Sequence, residues 1–330
     1  MAPRETVVLF GSGALAHDVV RGLVCDAADR RVVVIETGAR AAIPAGGHDA
    51  GGDAAASAVR ERRIDPSSPI CARELAAILL ELRPTVIAVL ALSESPVTPP
   101  EPWVRDLALA GAITSALARA LEQGMAAPHV LLLSSTAVYG VAPASPLVFD
   151  EQSALPRETV LASAFARWAQ ELRNVERMIV AWAVGSGAGV GVLRTASVLG
   201  APGGSHLAAP VMDSPVAALF RSRFPIRVLG FDPPCQVVHY DDLVRAIVLA
   251  IDQRCGEVLN IVGRSVVPLS RLFAMAGIVA PPVPGPVADR VAPAATDGAH
   301  LRWRTLADGR RATAVLGFRA QRTLEDCFRA

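Results

Sequence analysis

Residues 6–16 read Thr-Val-Val-Leu-Phe-Gly-Ser-Gly-Ala-Leu-Ala, which is an apolar run, a glycine turn and the start of a helix pattern. The helix pattern extends over residues 14–24. Gly11 permits a tight turn, Gly13 lets a phosphate approach the backbone, and the small Ala16 lets the helix pack on the strand. The helix N-terminus would offer amide donors to that phosphate. The stretch therefore predicts the first β–turn–α unit of a dinucleotide-binding fold.

Outward from this unit, apolar strand patterns alternate with helix patterns. Such alternation is typical of βαβ units, which build a parallel sheet covered on both faces. The sequence therefore predicts an α/β fold with a Rossmann-type, doubly wound parallel sheet. The further predicted strands are 31–35, 85–92, 130–133 and 190–195, and the further predicted helices are 73–82, 103–122 and 164–183.

The rhythm of the chain changes after Gly200, where the predicted elements become shorter. We expect a Rossmann domain over residues 1–200 and a smaller α/β substrate-binding region over residues 201–330. Some elements of the second part, such as residues 236–253, would rejoin the first domain. Residues 38–57 are rich in Ala and Gly and predict a surface loop.

Composition and charge exclude several function classes. The formal net charge is only +1 and no Arg run alternates with aromatic residues, so we expect no nucleic-acid partner. The apolar runs are too short to span a bilayer, and the first residues show no signal-peptide pattern, so we expect no membrane partner and a cytoplasmic location. The five cysteines and six histidines are scattered, and we predict no metal site.

An acidic residue, Glu36, ends the second predicted strand, 25 residues after Gly11. An acid there would accept hydrogen bonds from a ribose 2′-hydroxyl and repel a 2′-phosphate, which favours NAD over NADP as the cofactor. Arg40 lies close in sequence and argues for NADP. The alternative interpretation of Glu36 is a solvated strand end.

Residues 131–140 read LLLSSTAVYG, and this stretch resembles the extended short-chain dehydrogenase/reductase family, which includes nucleotide-sugar epimerases and dehydratases. Further landmarks follow in that family's order over almost the whole chain. They do not identify a substrate. The landmarks are Leu193-Arg194, Val198-Leu199-Gly200, residues 238–243, residues 257–263 and Leu316-Gly317-Phe318.

The resemblance implies a set of cofactor-binding residues. One group would hold the adenosine diphosphate half, Asp65 would face the adenine, and a second group would lie beside the nicotinamide. The implied residues are Gly11, Ser12, Gly13, Ala14, Leu15, Glu36, Asp65, Leu90, Ala91, Ser134, Arg167, Ser197 and Val198.

The family's proton-transfer pair is missing from this sequence. In active members a tyrosine acts as general acid or base, and a lysine four residues later lowers the pKa of its phenol. This chain contains no lysine. A register that uses Glu171 as the acid after the lysine puts Ser163 at the tyrosine position and Arg167 at the lysine position. A gap-free count instead gives Val160 and Ala164.

The missing pair has two functions, ribose binding by the lysine and proton transfer by the tyrosine. Arg167 would still hydrogen-bond a ribose, but Ser163 would not replace a phenol, because an aliphatic hydroxyl ionises too reluctantly. The remaining catalytic candidates are Ser135 and Tyr139. We therefore expect an NAD(P)-binding protein that acts as an atypical, regulatory or partner subunit.

Two alternatives remain open. The first is an epimerase or reductase of altered mechanism on a nucleotide-sugar or other small polar substrate. The second is a fold that serves only interaction, with an empty cleft. The family resemblance implies that helices 103–122 and 164–183 pair across a homodimer. Trp168 and Trp182 are then candidates for the interface or equally for the core.

Overall fold

The computed structural model of the chain describes residues 5–11, 13–25, 30–37, 59–66, 68–90, 102–141, 145–156, 164–200, 220, 222, 225–291, 301–303 and 305–328. The predicted loop at 38–57, with Arg40, lies outside these residues. The strands are β1 Glu5–Phe10, β2 Arg30–Thr37, β3 Val59–Ile64, β4 Val86–Val89, β5 His129–Ser135, β6 Val190–Thr195, β7 Ser197–Leu199, β8 Arg227–Val228, β9 Pro234–His239, β10 Val258–Ile261, β11 Val266–Pro268 and β12 Pro282–Val283.

Helices follow most strands of the first half, as the sequence pattern predicts. Helix α4 ends at Ser186, and Gly187 follows it with a φ of +70°, which is the left-handed conformation that commonly terminates helices. The helices are α1 Gly13–Cys25, α2 Cys71–Leu82, α3 Pro102–Glu122, α4 Ala164–Ser186, α5 Tyr240–Asp252, α6 Leu269–Met275, α7 Gly285–Val291 and α8 Arg310–Leu316, with 3₁₀ turns at Thr136–Tyr139 and Glu325–Phe328.

A seven-stranded parallel sheet forms the centre of the molecule, in the order β10-β6-β5-β4-β1-β2-β3. Strands β2 and β3 lie on one side of β1, and strands β4, β5, β6 and β10 lie on the other side. The strand order therefore reverses between β1 and β4. In such sheets, ligands bind in the crevice at the carboxyl ends of the strands at this reversal. The predicted fold class is confirmed.

The two faces of the sheet bury two apolar cores. Along β1, Val8 and Phe10 pack with α2, α3 and α4, whereas Val7 and Leu9 pack with α1, α5 and α8. Successive side chains of a strand point to opposite faces, so a strand covered on both sides must be apolar at every position. This requirement explains the unbroken apolar runs in β1, β4 and β5.

Strand β3 was not predicted from an apolar run, although the family resemblance implies a third strand before Asp65. Its sequence, VRERRI, carries four charged residues among six. It lies at the edge of the sheet, where only one neighbouring strand pairs with it. Charged side chains are tolerated and common at such edges. Burial at the centre and exposure at the edge therefore give different sequence signals.

The second half of the chain contributes to both parts of the molecule. Strand β10 pairs with β6 in the large sheet, and α5 packs on α1. Residues 240–252 and 258–261 therefore lie with the large sheet, whereas residues 236–239 belong to β9 of the smaller sheet. The division of the chain at residue 200 stays a prediction. The smaller part contains a three-stranded sheet, β11-β9-β7, and the strand pair β12-β8.

The predicted dimer helices pack against each other and against the sheet. Trp168 on α4 is only 3% exposed and belongs to the core on that face, so it is not available to a partner. Trp182 is partly buried against the same core. The homodimer itself stays a prediction. Within the described residues, no helix combines the length and apolar character that crossing a membrane requires.

Candidate active site

The carboxyl ends of the parallel strands share one edge of the sheet. This edge collects several of the polar residues that the sequence singled out, together with others that it did not. We call the part at β1 to β3 the glycine-turn end; it contains Gly11, Gly13, Glu36 and Arg63. The part at β5, β6 and β10 is the serine end, with the following residues: Ser134, Ser135, Tyr139, Glu176, Arg194 and Asn260.

The glycine turn has the geometry that a phosphate group needs. The Gly11 amide donates to the Ile35 carbonyl at 3.2 Å and closes the turn against β2. Gly13 begins α1 with a φ of +71°. Apart from its chain neighbours and the backbone of its own helix, no group of the described residues lies within 4 Å of the position that its β-carbon would take. The first turn of α1 contains no acidic side chain. An anion would therefore meet free space and the positive end of a helix.

Glu36 ends at the same edge, but it is not a free carboxylate. Arg63, its register partner on β3, donates to Glu36 Oε2 through Nε at 3.1 Å and through Nη2 at 2.7 Å. The side chains of Glu36 and Arg63 are 26% and 61% exposed. The predicted acid of the cofactor site thus has a neighbouring guanidinium that sequence reasoning missed.

The other predicted residues of this end lie close to the same edge. Asp65 is exposed immediately after β3, and Ala14 and Leu15 lie in the first turn of α1. The Leu90 amide donates to the Phe10 carbonyl at 2.8 Å, which continues the ladder between β4 and β1. Ser12 and Ala91 lie outside the described residues. All these cofactor roles stay predictions.

At the serine end, the two serines of β5 point to different partners. Ser134 is 1% exposed, and its hydroxyl donates to Glu176 Oε1 at 2.5 Å. Ser135 is 9% exposed, and its hydroxyl oxygen accepts the Ala137 amide at 3.2 Å, which caps the 3₁₀ turn. Ser134 therefore supports the strand end from inside, whereas Ser135 lies at its tip.

A buried ion pair lies directly behind these serines. Arg194 on β6 donates through Nη2 to Glu176 Oε2 at 2.7 Å, and the two side chains are 7% and 6% exposed. Burial by itself lowers the pKa of Arg194, but the Glu176 carboxylate outweighs burial and raises that pKa, so the guanidinium stays charged. The pair joins α4 to β6 across the end of β5.

Tyr139 is part of the same network and does not face an open cleft. It is 2% exposed; its hydroxyl donates to Asn260 Oδ1 at 2.7 Å and accepts from Arg194 Nη1 at 3.2 Å. Its ring stacks on Phe149 with centroids 4.9 Å apart. Burial raises the pKa of this phenol, although Arg194 opposes the rise. These contacts weigh against the catalytic role suggested for Tyr139.

The second tyrosine of the chain is also engaged. Tyr240 begins α5, is 2% exposed, and donates its hydroxyl to Asp18 Oδ2 on α1 at 2.7 Å. Burial and the neighbouring Asp18 carboxylate raise its pKa. Tyr139 and Tyr240 are the only tyrosines in the sequence. Both phenols therefore act as hydrogen-bond donors inside the protein.

Helix α4 places a different acid at β5 from the one that the sequence register used. Glu176 reaches Ser134, whereas Glu171 is partly exposed and accepts from Asn174 Nδ2 at 3.2 Å. One and two turns before Glu176, the same helix face carries Leu172 and Trp168, both buried. Neither replaces a tyrosine or a lysine.

The sequence registers put Ser163 and Arg167, or Val160 and Ala164, at the pair's positions, and the structure describes these residues only in part. Arg167 is exposed on α4, and Ser163 and Val160 lie outside the described residues. Of the residues that the resemblance implies beside the nicotinamide, Val198 is 1% exposed within the core and Ser197 is partly exposed. The structure thus links Ser134 to Tyr139 through Glu176 and Arg194, and no hydrogen bond between described residues joins Arg167 to this network.

Comparison with known families agrees with this architecture. Residues 53–262 match the model of the NAD dependent epimerase/dehydratase family, which is more than half of the chain. The chain belongs to this family. The match includes β3 to β10 and therefore the whole serine end. No curated protein matches the chain.

Solved structures of this fold cover nearly the whole epimerase/dehydratase-family chain. UDP-glucose 4-epimerase from Brucella ovis in complex with NAD has 18% identity and a TM-score of 0.68 over 98% of this chain and 96% of that one. MoeE5 in complex with UDP-glucose and NAD has 24% identity and a TM-score of 0.63, covering 97% and 95%. The dTDP-glucose 4,6-dehydratase from Bacillus anthracis in complex with NAD has 11% identity and a TM-score of 0.64, covering 98% and 94%. At these identities the likeness shows the fold.

Proposed function

We propose that this epimerase/dehydratase-family chain binds NAD at its glycine turn and does not perform the family's tyrosine–lysine proton transfer. It acts as an atypical member, in a regulatory or partner role. One observation carries the proposal: both phenols of the chain are buried and hydrogen-bonded, and the sequence contains no lysine. A phenol that never meets the cleft cannot exchange a proton with a ligand there.

Cofactor binding is supported by the glycine-turn end. The positive φ of Gly13, the free space beside it and the acid-free first turn of α1 all suit a pyrophosphate. Glu36 ends β2 where an acid would meet the adenosine ribose. The family's description and the three solved structures with NAD agree with the cofactor predicted from the sequence.

The serine end is built for stability. Its charged groups pair with each other in a 2.7 Å ion pair, and the hydroxyls of Ser134 and Tyr139 bond to neighbouring side chains. A general acid or base must change its protonation near neutral pH and reach its substrate. The raised pKa of Tyr139 and its burial oppose both requirements.

A second candidate function keeps catalysis with an altered mechanism, and Ser135 is the residue that favours it. Its hydroxyl oxygen accepts the Ala137 amide, and within the described residues no acceptor takes its proton. A nucleotide-linked or other small polar substrate would then receive a hydrogen bond from Ser135 and supply its own proton path. The third candidate, a cleft without any ligand, conflicts with the intact glycine turn. The cytoplasmic location remains part of the proposal.

The experiment has two stages. First, purified protein is denatured and the released nucleotide is identified by absorbance and mass; apo protein is then tested with NAD in a thermal-shift assay. At a ligand concentration of about 100 Kd we expect a stabilisation of about 2.7 kcal/mol. No released nucleotide and no thermal shift would overturn the cofactor assignment.

Second, NADH formation is measured with a panel of nucleotide sugars for the wild type and for Ser135→Ala. We expect no turnover in either protein and an unchanged affinity for NAD. Turnover in the wild type that Ser135→Ala abolishes would replace the first function with the second. Turnover that survives in Ser135→Ala would contradict both the proposed absence of catalysis and the catalytic role of Ser135.

A further inference from the structure

The ion pair at the glycine-turn end lies where a dinucleotide's adenosine ribose would bind. Within β2, Val32 and Val34 pack on the α1 face of the sheet, and Val33 and Ile35 pack on the opposite face. Because side chains alternate, Glu36 follows Ile35 on the α1 face. That face also carries the glycine turn and the first turn of α1. Glu36 and the turn therefore share one side of the sheet edge.

Arg63 uses only one of the two carboxylate oxygens. Both of its donors, Nε and Nη2, contact Oε2 of Glu36. Oε1 accepts no hydrogen bond from the described residues, so it remains open to a ribose hydroxyl. Nη1 of Arg63 is likewise not used in the pair, and the side chain is 61% exposed. A ligand could thus accept a hydrogen bond from Arg63 and donate one to Glu36 at the same time.

The charge of the site decides whether it accepts a ribose with a free 2′-hydroxyl or one with a 2′-phosphate. A lone carboxylate hydrogen-bonds a ribose diol and repels a 2′-phosphate, which is why an acid at this position selects NAD. Here the guanidinium cancels the charge of the carboxylate at 2.7 Å. Arginine also binds phosphate oxygens through two parallel donors. Exposed ion pairs contribute only about 0–1 kcal/mol, so a phosphate can draw Arg63 away from Glu36 at little cost.

We propose that Arg63 is a specificity-determining residue that lets this site accept the 2′-phosphate of NADP in addition to the 2′-hydroxyl of NAD. Glu36 binds the diol of NAD through its open oxygen. Arg63 turns toward the phosphate when NADP occupies the site. The inference rests on the proposed function, since it requires a dinucleotide at the glycine turn.

The neighbouring residue on β3 provides a matched control. Arg62 forms a similar exposed ion pair, through Nη2, with Glu81 of α2 at 2.7 Å. It is adjacent to Arg63 on the strand and therefore points to the opposite face of the sheet. Arg62→Ala removes the same charge from the same strand without touching Glu36.

The experiment measures Kd for NAD and for NADP by isothermal titration calorimetry in the wild type, Arg63→Ala, Glu36→Gln and Arg62→Ala. We expect wild-type affinities within about tenfold of each other, with NAD preferred. Arg63→Ala should weaken NADP by about tenfold or more and NAD by less than about threefold. Glu36→Gln should weaken NAD and leave NADP at least as tight. Arg62→Ala should change neither.

Each contrary result has a defined meaning. If the wild type binds NAD and excludes NADP, or if Arg63→Ala weakens both dinucleotides equally, Arg63 does not determine specificity. An equal loss in Arg62→Ala would assign the effect to net charge and would also overturn the proposal. If the wild type binds neither dinucleotide, the proposed function fails instead. A steeper salt dependence for NADP than for NAD, lost in Arg63→Ala, gives an independent readout.

Discussion

The glycine-turn end and the serine end belong to the same sheet edge, yet they differ in where their polar groups point. At the glycine-turn end, Gly13 and Arg63 are exposed, and Glu36 is partly exposed. At the serine end, the ion pair of Glu176 and Arg194 and the phenol of Tyr139 are all buried. The comparison teaches that one sheet edge can leave its polar groups exposed at one end and bury them in the core at the other.

The largest expected effect concerns the buried ion pair. Arg194→Ala leaves Glu176 without its partner inside the protein, and we expect a loss of about 3–5 kcal/mol in the free energy of unfolding. Urea denaturation followed by circular dichroism measures the loss. Arg311→Ala is the control, because Arg311 and Glu257 form a pair of the same 2.7 Å length at about 40% exposure. That change should cost less than about 1 kcal/mol. Equal losses in both variants would break the comparison.

A smaller effect tests the phenol. Tyr139→Phe removes the donor to Asn260 and an acceptor of Arg194, so we expect a stability loss of about 1–3 kcal/mol. The affinity for NAD should stay within about twofold of the wild type. A variant with normal stability and reduced turnover would instead show that Tyr139 works on a substrate.

The glycine turn should respond in the opposite way, through binding. A side chain at a positive φ costs about 1–2 kcal/mol, so Gly13→Ala should lose that stability and weaken NAD by about tenfold or more. Gly187→Ala is a matched control, since Gly187 has the same open surroundings and a φ of +70°. It should lose similar stability and keep its affinity for NAD, measured by calorimetry. Equal affinities in the two variants would remove Gly13 from the cofactor site.

The subtlest test is a pH titration of the phenols. Burial raises the pKa values of Tyr139 and Tyr240 above the value of about 10 in an unfolded chain. The folded protein then holds more protons above pH ~10, so stability is full below that pH and decreases as pH rises beyond it. We expect phenolate absorbance to rise only together with the loss of circular dichroism. A phenol that ionises while the protein remains folded would contradict the burial of the serine end.

Much of the fold could be predicted because the central strands have a recognisable sequence pattern. β1, β4 and β5 are buried on both faces and read as continuous apolar runs. Strand β3 has no such pattern, since an edge strand is stabilised by pairing on one side only and tolerates the charges of VRERRI. The pairing of β10 with β6 was not predicted either, because the sequence of a four-residue strand far along the chain does not indicate which sheet it joins.

The site could be predicted only in part. Gly11 and Gly13 could be placed because they come just after an apolar strand, and Ser135 because it ends one. Glu176 was missed because the register of α4 was set by counting from a family pattern to Glu171. A signal existed, since Glu176 interrupts the apolar stripe Leu172, Val175 and Ile179.

The partners of two charged residues also escaped sequence reasoning. Arg194 interrupts the apolar strand β6 as Glu176 interrupts α4, and two opposite charges in buried positions indicate a buried pair. Arg63 gave no comparable signal. Its contact with Glu36 depends on the register between β2 and β3, and nothing in a single sequence specifies that register.

The strand-like bridge between Phe149 and Ala307 has a consequence for chain motion. The Phe149 amide donates to the Leu306 carbonyl at 2.8 Å, and Glu151 accepts the Asn260 amide 109 residues further along the chain. Phe149 and Glu151 are thus held to the last quarter of the protein by hydrogen bonds. The amides of Phe149 and Asp308 should exchange with deuterium at the same rate. Both hydrogen bonds belong to this bridge, so both break when the bridge opens.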